Sequence, residues 1–357
     1  MPDERTAFIT LPESGEHRQP FPKPHIEAFE NPLRTEMALE YLQRSGTIAE
    51  MKRVSAKAAN LEDAMLVHSA YLVDTVRIMS EVGTGYLGES SYASPDLLLS
   101  SLRSLGGVIE ASNQVTGGYV KHSFALVRPP GHHASTSNPG GLCYFNNIAV
   151  AVKRSLARKE IERVSILDFD NHFGNGTAEI FYSDSTVQYI SLHEYDYENF
   201  GTGHYEEIGH GEGKGTNINI PLMEASHDES YSVAIDRIVK PAIESYRPDL
   251  IAVSAGYDAH YADPVGNMDV DSRTFWKLGK VIDHLVDKLG IQGSFWALEG
   301  GYSLFALGPS IHGSLDGLEG KPKPALSDQV EREIHEMLVM ANEEIIEKVL
   351  ETISSYL

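Results

Sequence analysis

The segment from Arg163 to His172 constrains the fold of this chain more than any other stretch. Residues 164–167 form a short apolar run rich in β-branched side chains, which is typical of a buried parallel strand. Asp168, Asp170 and His172 follow at every second position. Because side chains alternate faces along a strand, this spacing predicts that the three point the same way. Two carboxylates and an imidazole that converge beside a buried strand form either a metal site or a salt-bridge cluster that is costly to bury.

The composition restricts the partners and the location of the chain. The 357 residues carry a formal net charge of −22 at pH 7. Nucleic-acid binding needs a basic surface, so this charge predicts no nucleic-acid partner. The single cysteine, Cys143, excludes an intramolecular disulfide and favours a reducing, cytoplasmic location. No run of about 18 consecutive apolar residues occurs, so no membrane segment is expected, and residues 1–5 do not begin a signal peptide.

Strand-like apolar runs alternate with helical patterns, which predicts an α/β fold with a single, mainly parallel β-sheet flanked by helices on both faces. The predicted strands are 122–127, 164–169, 187–192, 250–254 and 294–298, and the predicted helices are 31–44, 61–81, 95–115, 146–159, 228–246, 271–289, 303–317 and a long one from residue 327. We expect one domain over residues 1–357. Residues 1–30 contain five prolines and are expected to form an irregular surface segment, whereas the helix in 327–357 should dock on the domain or form an oligomer contact.

Reactive side chains follow four of the predicted strands. These side chains lie in four short sequences: Gly131-His-His133, Asp168-Phe-Asp-Asn-His172, Gly256-Tyr-Asp258 and Glu299-Gly-Gly-Tyr302. Ligands of open α/β sheets bind outside the carboxyl ends of the strands. A lone histidine pair or a Gly-Tyr is more often structural, but four groups at one edge of a sheet predict a functional site. The polar loop 195–215 is too long for a simple connection and is a candidate wall of that site.

These motifs resemble the histone deacetylase family, together with its acetylpolyamine amidohydrolase and prokaryotic deacetylase-like relatives. The resemblance extends over about residues 20–320 and rests on six sequences: Arg128-Pro-Pro-Gly-His-His-Ala134, Gly141-Leu-Cys-Tyr-Phe-Asn-Asn147, Asp168-Phe-Asp-Asn-His-Phe-Gly-Asn-Gly-Thr177, Ser191-Leu-His193, Gly256-Tyr-Asp258 with Asp263-Pro264, and Glu299-Gly-Gly-Tyr302. It implies the arginase-deacetylase fold, in agreement with the α/β sheet predicted above.

The resemblance implies that Asp170, His172 and Asp258 bind one catalytic divalent metal ion, normally zinc. Three protein ligands leave one position open for water and for a substrate carbonyl. A set of two oxygens and one nitrogen also accepts Fe²⁺ or Co²⁺, so the sequence leaves the metal open.

The same resemblance assigns the acid–base residues. His133 corresponds to the general base that deprotonates the attacking water and then protonates the leaving amine, and His132 stabilises charge beside it. Asp168 and Asn175 match the partners that orient His132 and His133 respectively. Asn175 stands where some members have aspartate. Because a neutral partner supports the imidazolium less than a carboxylate does, the basicity of His133 is expected to differ. Tyr302 matches the family's tyrosine that donates to the developing oxyanion.

The substrate channel departs from the family pattern. Gly141 matches the glycine whose carbonyl accepts the substrate amide N–H, and Leu142 stands where many members have a wall-forming phenylalanine. The opposite wall is expected from Asn199 or Phe200, and the sequence does not decide between them. Glu89 resembles the acidic residue at the channel rim, although a solvated loop carboxylate is an equally good interpretation.

A structural potassium ion is also implied, with ligands from five residues. These are Asp168, Asp170, His172, Ser191 and Leu192. Phe173 replaces a second histidine that is common after the metal-binding one; that histidine is not a ligand in the family, so the metal site is expected to be retained.

The implied reaction is hydrolysis of an N-acetyl or longer acyl group from a primary amine, with acetyl-lysine peptides or proteins and acetylated small amines both open. Val265 lies in Asp263-Pro-Val-Gly266, where a polyamine-selective branch has glutamate, so that selectivity mechanism is absent. One rival is a two-manganese ureohydrolase, but its Asp-x-His-x-Asp run would end at Gly174. Another is a catalytically inactive binding module, which should have lost a ligand, the histidine pair or the tyrosine. The oligomeric state stays open.

Overall fold

The computed structural model describes residues 5–11, 17–19, 28–199 and 201–356. An eight-stranded sheet runs through the centre, with every paired strand parallel to its neighbours. Its strands are β1 (Thr6–Thr10), β2 (Lys52–Ser55), β5 (His122–Leu126), β6 (Val164–Asp168), β7 (Val187–Glu194), β8 (Asn217–Leu222), β9 (Leu250–Ala255) and β10 (Ser294–Leu298), in the spatial order β2-β1-β5-β10-β9-β6-β7-β8. A separate antiparallel pair consists of β3 (Tyr86–Gly88) and β4 (Ser91–Tyr92).

Helices cover both faces of the sheet. They are α1 (Leu33–Arg44), α2 (Leu61–Ala64), α3 (Ala70–Val82), α4 (Leu97–Thr116), α5 (Asn147–Leu156), α6 (Asn175–Phe181), α7 (Asp228–Ala234), α8 (Lys240–Tyr246), α9 (Ser272–Leu289), α10 (Leu307–Leu318) and α11 (Glu336–Ile353). Neighbouring strand residues enter different cores. Phe124 packs in the core beside α7, α9 and α10, whereas Ala125 packs in the core beside α4 and α5. The predicted single parallel sheet with helices on both faces is therefore confirmed.

The N-terminal segment differs from its prediction. We expected irregular chain over residues 1–30, but residues 6–10 form β1, which pairs with both β2 and β5. The prolines misled the prediction, since Pro2 and Pro12 flank this apolar and β-branched stretch and none lies inside it. Strands β2 and β8 were also missed, because both lie at edges of the sheet and carry polar residues.

Two predicted helices have different bounds. The helix predicted over 61–81 is divided into α2 and α3, because the Ser69 side chain accepts a hydrogen bond from Leu72 N and caps a new helix. The C-terminal helix was expected from residue 327 but begins at Glu336. Its apolar side, with Ile346 and Val349 fully buried, packs against β8 and α7.

No helix within the described ranges is long and apolar enough to cross a membrane.

Candidate functional site

The loops after β5, β6, β9 and β10 meet at the carboxyl edge of the sheet around one cavity of about 550 Å³. His133, His172 and Tyr302 line this cavity, and each comes from a different predicted motif. Further residues of the loops after β5 and β9, 138–142 and 265, complete the walls. Residues 89–90, between β3 and β4, and Thr202, in the loop after β7, also line the cavity. Thr202 belongs to the long polar loop that the sequence predicted as a wall of the site.

Asp170, His172 and Asp258 form the potential metal-binding group at this edge. One ligand atom from each residue lies within 4.8 Å of the others. His172 Nδ1 lies 2.9 Å from Asp258 Oδ2 and 3.2 Å from Asp170 Oδ1. Both carboxylates are almost completely buried, whereas His172 is partly exposed and faces the cavity. The three predicted ligands are therefore close enough together to share one ion.

The backbone holds both carboxylates in this orientation. Asp170 accepts hydrogen bonds from the N–H groups of His172 at 2.9 Å and Gly300 at 2.7 Å, and Asp258 accepts one from Asn171 N at 2.9 Å. Glycine is required beside them, because a Cβ atom at Gly300 would collide with both carboxylates. The glycines of the strand-end motifs thus provide the space in which the two carboxylates converge.

The electrostatics of this group suit a divalent cation. Burial disfavours the charge of Asp258 and the nearby Asp170 carboxylate adds to this, so the pKa of Asp258 is raised. Burial alone would lower the pKa of His172, but hydrogen bonds with both carboxylates outweigh it and raise that pKa well above 6.5. Two buried carboxylates and one imidazole are a donor set that zinc and similar ions accept. The residues present fit such an ion.

The two adjacent histidines have different partners and opposite pKa shifts. His132 Nδ1 lies 3.1 Å from Asp168 Oδ2, and His133 Nδ1 lies 2.7 Å from Asn175 Oδ1. Burial alone would lower the pKa of His132, but the carboxylates of Asp170 and Asp168 raise it to about 10. Burial and the neighbouring His132 charge lower the pKa of His133 to about 3. These pKa shifts favour a charged His132 and a neutral His133 near pH 7.

Tyr302 is 7% exposed, and its side chain reaches the cavity from the loop after β10. Burial raises the pKa of its hydroxyl well above 10, so the hydroxyl stays a neutral donor. The guanidinium of Arg34 lies over the ring at 4.6 Å and donates to the carbonyls of Gly301 at 2.7 Å and Glu299 at 2.6 Å. Arg34 is fully buried and fixes this loop from one side.

Four predicted channel residues line the cavity, although the structure does not test their roles. Gly141 has a φ of 51°, and a Cβ there would collide with the His133 ring, so glycine is needed for this close approach. Leu142 packs with Tyr302 and Val265. Glu89 is exposed and its carbonyl accepts from Gly141 N at 2.9 Å.

The expectation that Asn199 or Phe200 forms the opposite wall of the channel stays a prediction. Phe200 lies outside the described residues, and Asn199 is an exposed turn residue whose side chain donates to Asp196 at 2.6 Å.

Three of the five residues predicted to hold potassium lie on the neighbouring strands β6 and β7, and the other two, Asp170 and His172, follow the end of β6. Asp168 on β6 is directly opposite Ser191 on β7. The Ser191 hydroxyl lies 2.9 Å from His193 Nδ1.

The predicted orientation of the first motif was only partly right. Strand β6 ends at Asp168, so the alternation of faces does not extend through Asp170 to His172. The Asp168 carboxylate faces His132 and also accepts from the Tyr189 hydroxyl at 2.9 Å, whereas Asp170 and His172 turn toward Asp258.

Sequence reasoning missed the contributions of several residues at this site. Phe173 lines the cavity, with its ring centroid 4.9 Å from that of His193. The buried Glu299 carboxylate accepts from Gly131 N at 2.6 Å and His132 N at 3.2 Å. Phe173 was noted only as a departure from the family pattern and Glu299 only as part of a motif. Neither residue type by itself indicates these contacts.

This sheet, with a group of potential metal ligands, a histidine pair and a tyrosine at its carboxyl edge, defines the class of arginase-deacetylase fold hydrolases. The Histone deacetylase domain, a family model, matches residues 28–318. The chain belongs to the histone deacetylase family.

Several relatives agree with this assignment. The chain is 34% identical to "Histone deacetylase-like amidohydrolase" of Pseudomonas aeruginosa, over 90% of this chain and 85% of that protein. It is 37% identical to "Probable deacetylase" of Archaeoglobus fulgidus, over 69% of this chain and 68% of that protein. Among solved structures, the HDA15 HD domain matches with a TM-score of 0.88 and 28% identity, covering 99% of this chain and 95% of that one. The chain is therefore a hydrolase of the deacetylase type.

Proposed function

We propose that the protein is a zinc-dependent deacetylase that hydrolyses N-acetyl or longer acyl amides of lysine side chains or related primary amines. One observation carries this proposal: the ligand group Asp170, His172 and Asp258 reaches, through His172, the cavity that His133 and Tyr302 line. A loss of any of these would favour the alternative of an inactive binding module, and none is lost.

Asp170, His172 and Asp258 would hold the ion. Bound zinc would polarise the amide carbonyl and lower the pKa of water, and Fe²⁺ or Co²⁺ are alternatives that the same donor set accepts. Three protein ligands would leave coordination positions free for water and for a substrate carbonyl.

His133 is the group that moves protons in this proposal. Asn175 Oδ1 lies 2.7 Å from its Nδ1 and can only accept there, so Nδ1 carries the hydrogen and Nε2 has the free lone pair. Nε2 accepts a proton from the attacking water and then delivers it to the leaving amine, which leaves poorly as an anion. The lowered pKa of His133 keeps Nε2 unprotonated near neutral pH.

His132 stabilises charge without transferring the proton. Its Nδ1–H donates to Asp168, and its raised pKa keeps it as an imidazolium beside the reacting group. A fixed positive charge at this place favours the negative charge that develops on the amide oxygen.

Tyr302 donates its hydroxyl hydrogen to that oxygen. A preorganised donor of this kind contributes about 3–4 kcal/mol to transition-state stabilisation.

We also propose a structural potassium ion bound by Asp168, Asp170, His172, Ser191 and Leu192, supported by the direct pairing of Asp168 with Ser191. The single, buried Cys143 supports a reducing, cytoplasmic location.

The apolar residue at position 265 favours an acyl-lysine-type substrate over an acetylpolyamine. Val265 packs beside Leu142 and Tyr302, so no carboxylate stands at this position to pair with a distal ammonium group. An acetylpolyamine or small-metabolite amidohydrolase of the same family is the alternative.

A panel of fluorogenic acetyl-lysine and acetylspermidine substrates tests the proposal, using protein stripped of metal and then reloaded with zinc. We expect the stripped protein to be inactive and the reloaded protein to prefer acetyl-lysine. Full turnover without metal, or no turnover of any acyl amide with zinc, would contradict the proposal.

A further inference from the structure

The loop after β9 binds the backbone of the loop that carries Tyr302. Oδ2 of Asp263 accepts hydrogen bonds from the backbone N–H of Tyr302 at 2.6 Å and of Ser303 at 2.9 Å. Its Oδ1 accepts from Val265 N at 3.0 Å. Both oxygens of this carboxylate are thus engaged by backbone amides, and they join two loops at the residue whose side chain enters the cavity.

The loop that contains Asp263 is anchored in turn by the C-terminal strap, which we define as residues 324–332. Asp328 Oδ2 lies 3.2 Å from His260 Nε2 and accepts from Ser272 N at 2.9 Å. His260 Nδ1 accepts from Ala262 N at 3.0 Å, so the ring connects the strap to the backbone just before Asp263. Asp328 and His260 are both buried.

Arg332 anchors the strap at the far end of the same loop. Its guanidinium donates to Asp271 at 3.0 Å, to Asp228 at 2.6 Å and to the carbonyl of Asp269 at 3.0 Å. It also lies over the Tyr261 ring at 4.8 Å, and its side chain is only 15% exposed. The strap therefore contacts the loop on both sides of Asp263.

We propose that Asp263 is a positioning residue for Tyr302, and that the C-terminal strap keeps the loop of Asp263 in place. This inference rests on the proposed function, because it concerns the hydroxyl that the proposed reaction uses. A donor contributes to catalysis only where the charge develops, and a displacement of about 1 Å can cost about 10²-fold in rate. Arg34 holds the carbonyls of the Tyr302 loop, whereas Asp263 holds its amides.

The direct test is Asp263→Asn, alone and combined with Tyr302→Phe. Asparagine keeps the shape, but its NH₂ group must face one set of backbone N–H donors. We expect a fall of about 10–100-fold in kcat with less than about a threefold change in KM. In the Tyr302→Phe background the same substitution should cost less than about threefold, because the hydroxyl that it positions is gone. An equal loss in both backgrounds, or an unchanged kcat in the single variant, would overturn the proposal.

A matched control is available at the opposite edge of the sheet. Asp249 also accepts from two backbone amides, Glu162 N at 2.8 Å and Arg163 N at 2.9 Å. Asp249→Asn should leave kcat unchanged.

Hydrogen exchange gives a readout that does not depend on turnover. For the peptide 299–305, we expect exchange about tenfold faster in Asp263→Asn and unchanged exchange in Asp249→Asn. Unaltered exchange in Asp263→Asn would contradict the proposal. If that exchange accelerates while the wild-type protein hydrolyses no acyl amide, the loop contact is supported and the proposed function alone fails.

The role of the strap is tested by Arg332→Gln against Arg237→Gln. Arg237 pairs with Glu347 of α11 at 2.8 Å but is 41% exposed. We expect Arg332→Gln to lower kcat about three- to tenfold and to accelerate exchange in 299–305, with neither change in Arg237→Gln. Equal behaviour of the two variants would remove the strap from the proposal.

Discussion

The two edges of the same sheet bury clusters of carboxylates and histidines, but they balance charge differently. At the amino ends of the strands, Asp283 pairs with Arg5, with Lys121 Nζ at 2.7 Å and with His122 Nε2 at 3.1 Å. At the carboxyl ends, Asp170 and Asp258 pair only with imidazoles, and within the described ranges neither one pairs with a lysine or arginine.

This difference distinguishes a structural ion cluster from a candidate cation site. A buried carboxylate is stable when permanent cations surround it, and the amino-edge cluster is complete in that sense. In the carboxyl-edge cluster His172 can release its proton to bind an ion, and the cluster opens to a cavity. An external divalent ion would complete it. We therefore expect the cluster at the amino edge to contribute mainly to stability and the cluster at the carboxyl edge to contribute mainly to turnover.

The largest effect is expected from Asp170→Asn, which removes a ligand from the carboxyl edge. Removing a residue that hydrogen-bonds to a metal ligand lowers metal affinity or activity by about 10–100-fold. Removing a ligand itself should therefore lower kcat/KM by more than that. The free energy of unfolding of the metal-free protein should fall less than it does in Asp283→Asn. Turnover, metal content and urea unfolding of both variants check this. If Asp170→Asn lost stability but not turnover, the carboxyl-edge cluster would be structural and the comparison of the two edges would be wrong.

The next largest effects concern the proton-transfer and oxyanion groups. We expect His133→Ala to lower kcat by about 10²–10⁴-fold and Tyr302→Phe by about 10²–10³-fold. Metal content and the unfolding midpoint should stay near those of the wild type, because neither residue belongs to the ligand group. Full activity of His133→Ala would refute its role as the general base.

At the amino edge, Asp283→Asn should cost stability and leave kcat unchanged. The Asp283 side chain is only 12% exposed, and its removal leaves Lys121 and His122 without this partner. A cost of about 3 kcal/mol in the free energy of unfolding is expected for breaking such a buried pair. Asp287→Asn is the control: this carboxylate also pairs with Lys121 but is 65% exposed, and its loss should cost less than about 1 kcal/mol. Similar losses of stability in Asp283→Asn and Asp287→Asn would contradict the claim that the buried pair contributes more than the exposed one.

The contribution of Asp283 should also depend on pH. Burial opposes its charge, but hydrogen bonds from His122, Lys121 and Arg5 outweigh this and hold the pKa of Asp283 below its usual value. The unfolded state therefore takes up the proton first, so this stabilisation is full above about pH 4 and is lost as the pH falls toward the folded-state pKa. Urea unfolding should show the difference between wild type and Asp283→Asn narrowing below about pH 4. A constant difference down to pH 3 would contradict this.

The smallest effect is expected from Asn175→Asp. A carboxylate beside His133 stabilises its imidazolium, so the pKa of His133 should rise by about 1–3 units. The acid limb of the kcat/KM profile should move to higher pH by a similar amount, while kcat at its optimum changes less than about tenfold. An unmoved acid limb would show that another group controls it.

Local sequence pattern was sufficient for the strands that end in the site. Strands β6 and β10 were predicted with nearly their observed bounds, since each is a short apolar run followed directly by its reactive residues. The family resemblance then identified the ligand group, and the structure brings those three residues together.

Long-range contacts account for what could not be predicted. The roles of Asp263 and Arg34 depend on backbone groups of the Tyr302 loop, which are distant in sequence. Strand β1 exists because it inserts between β2 and β5, and α11 begins late because Asp328 and Arg332 bind other loops. Propensity within a short window carries no information about such partners.

A titration of metal-stripped protein with zinc, followed by hydrolysis of an acetyl-lysine peptide, tests the central claim most directly. If Asp170, His172 and Asp258 hold one catalytic ion, activity should return in proportion to added zinc and reach its plateau at about one ion per chain. The Asp170→Asn protein should not recover. Full activity before any zinc is added, or a plateau only at two ions per chain, would contradict a single-ion centre.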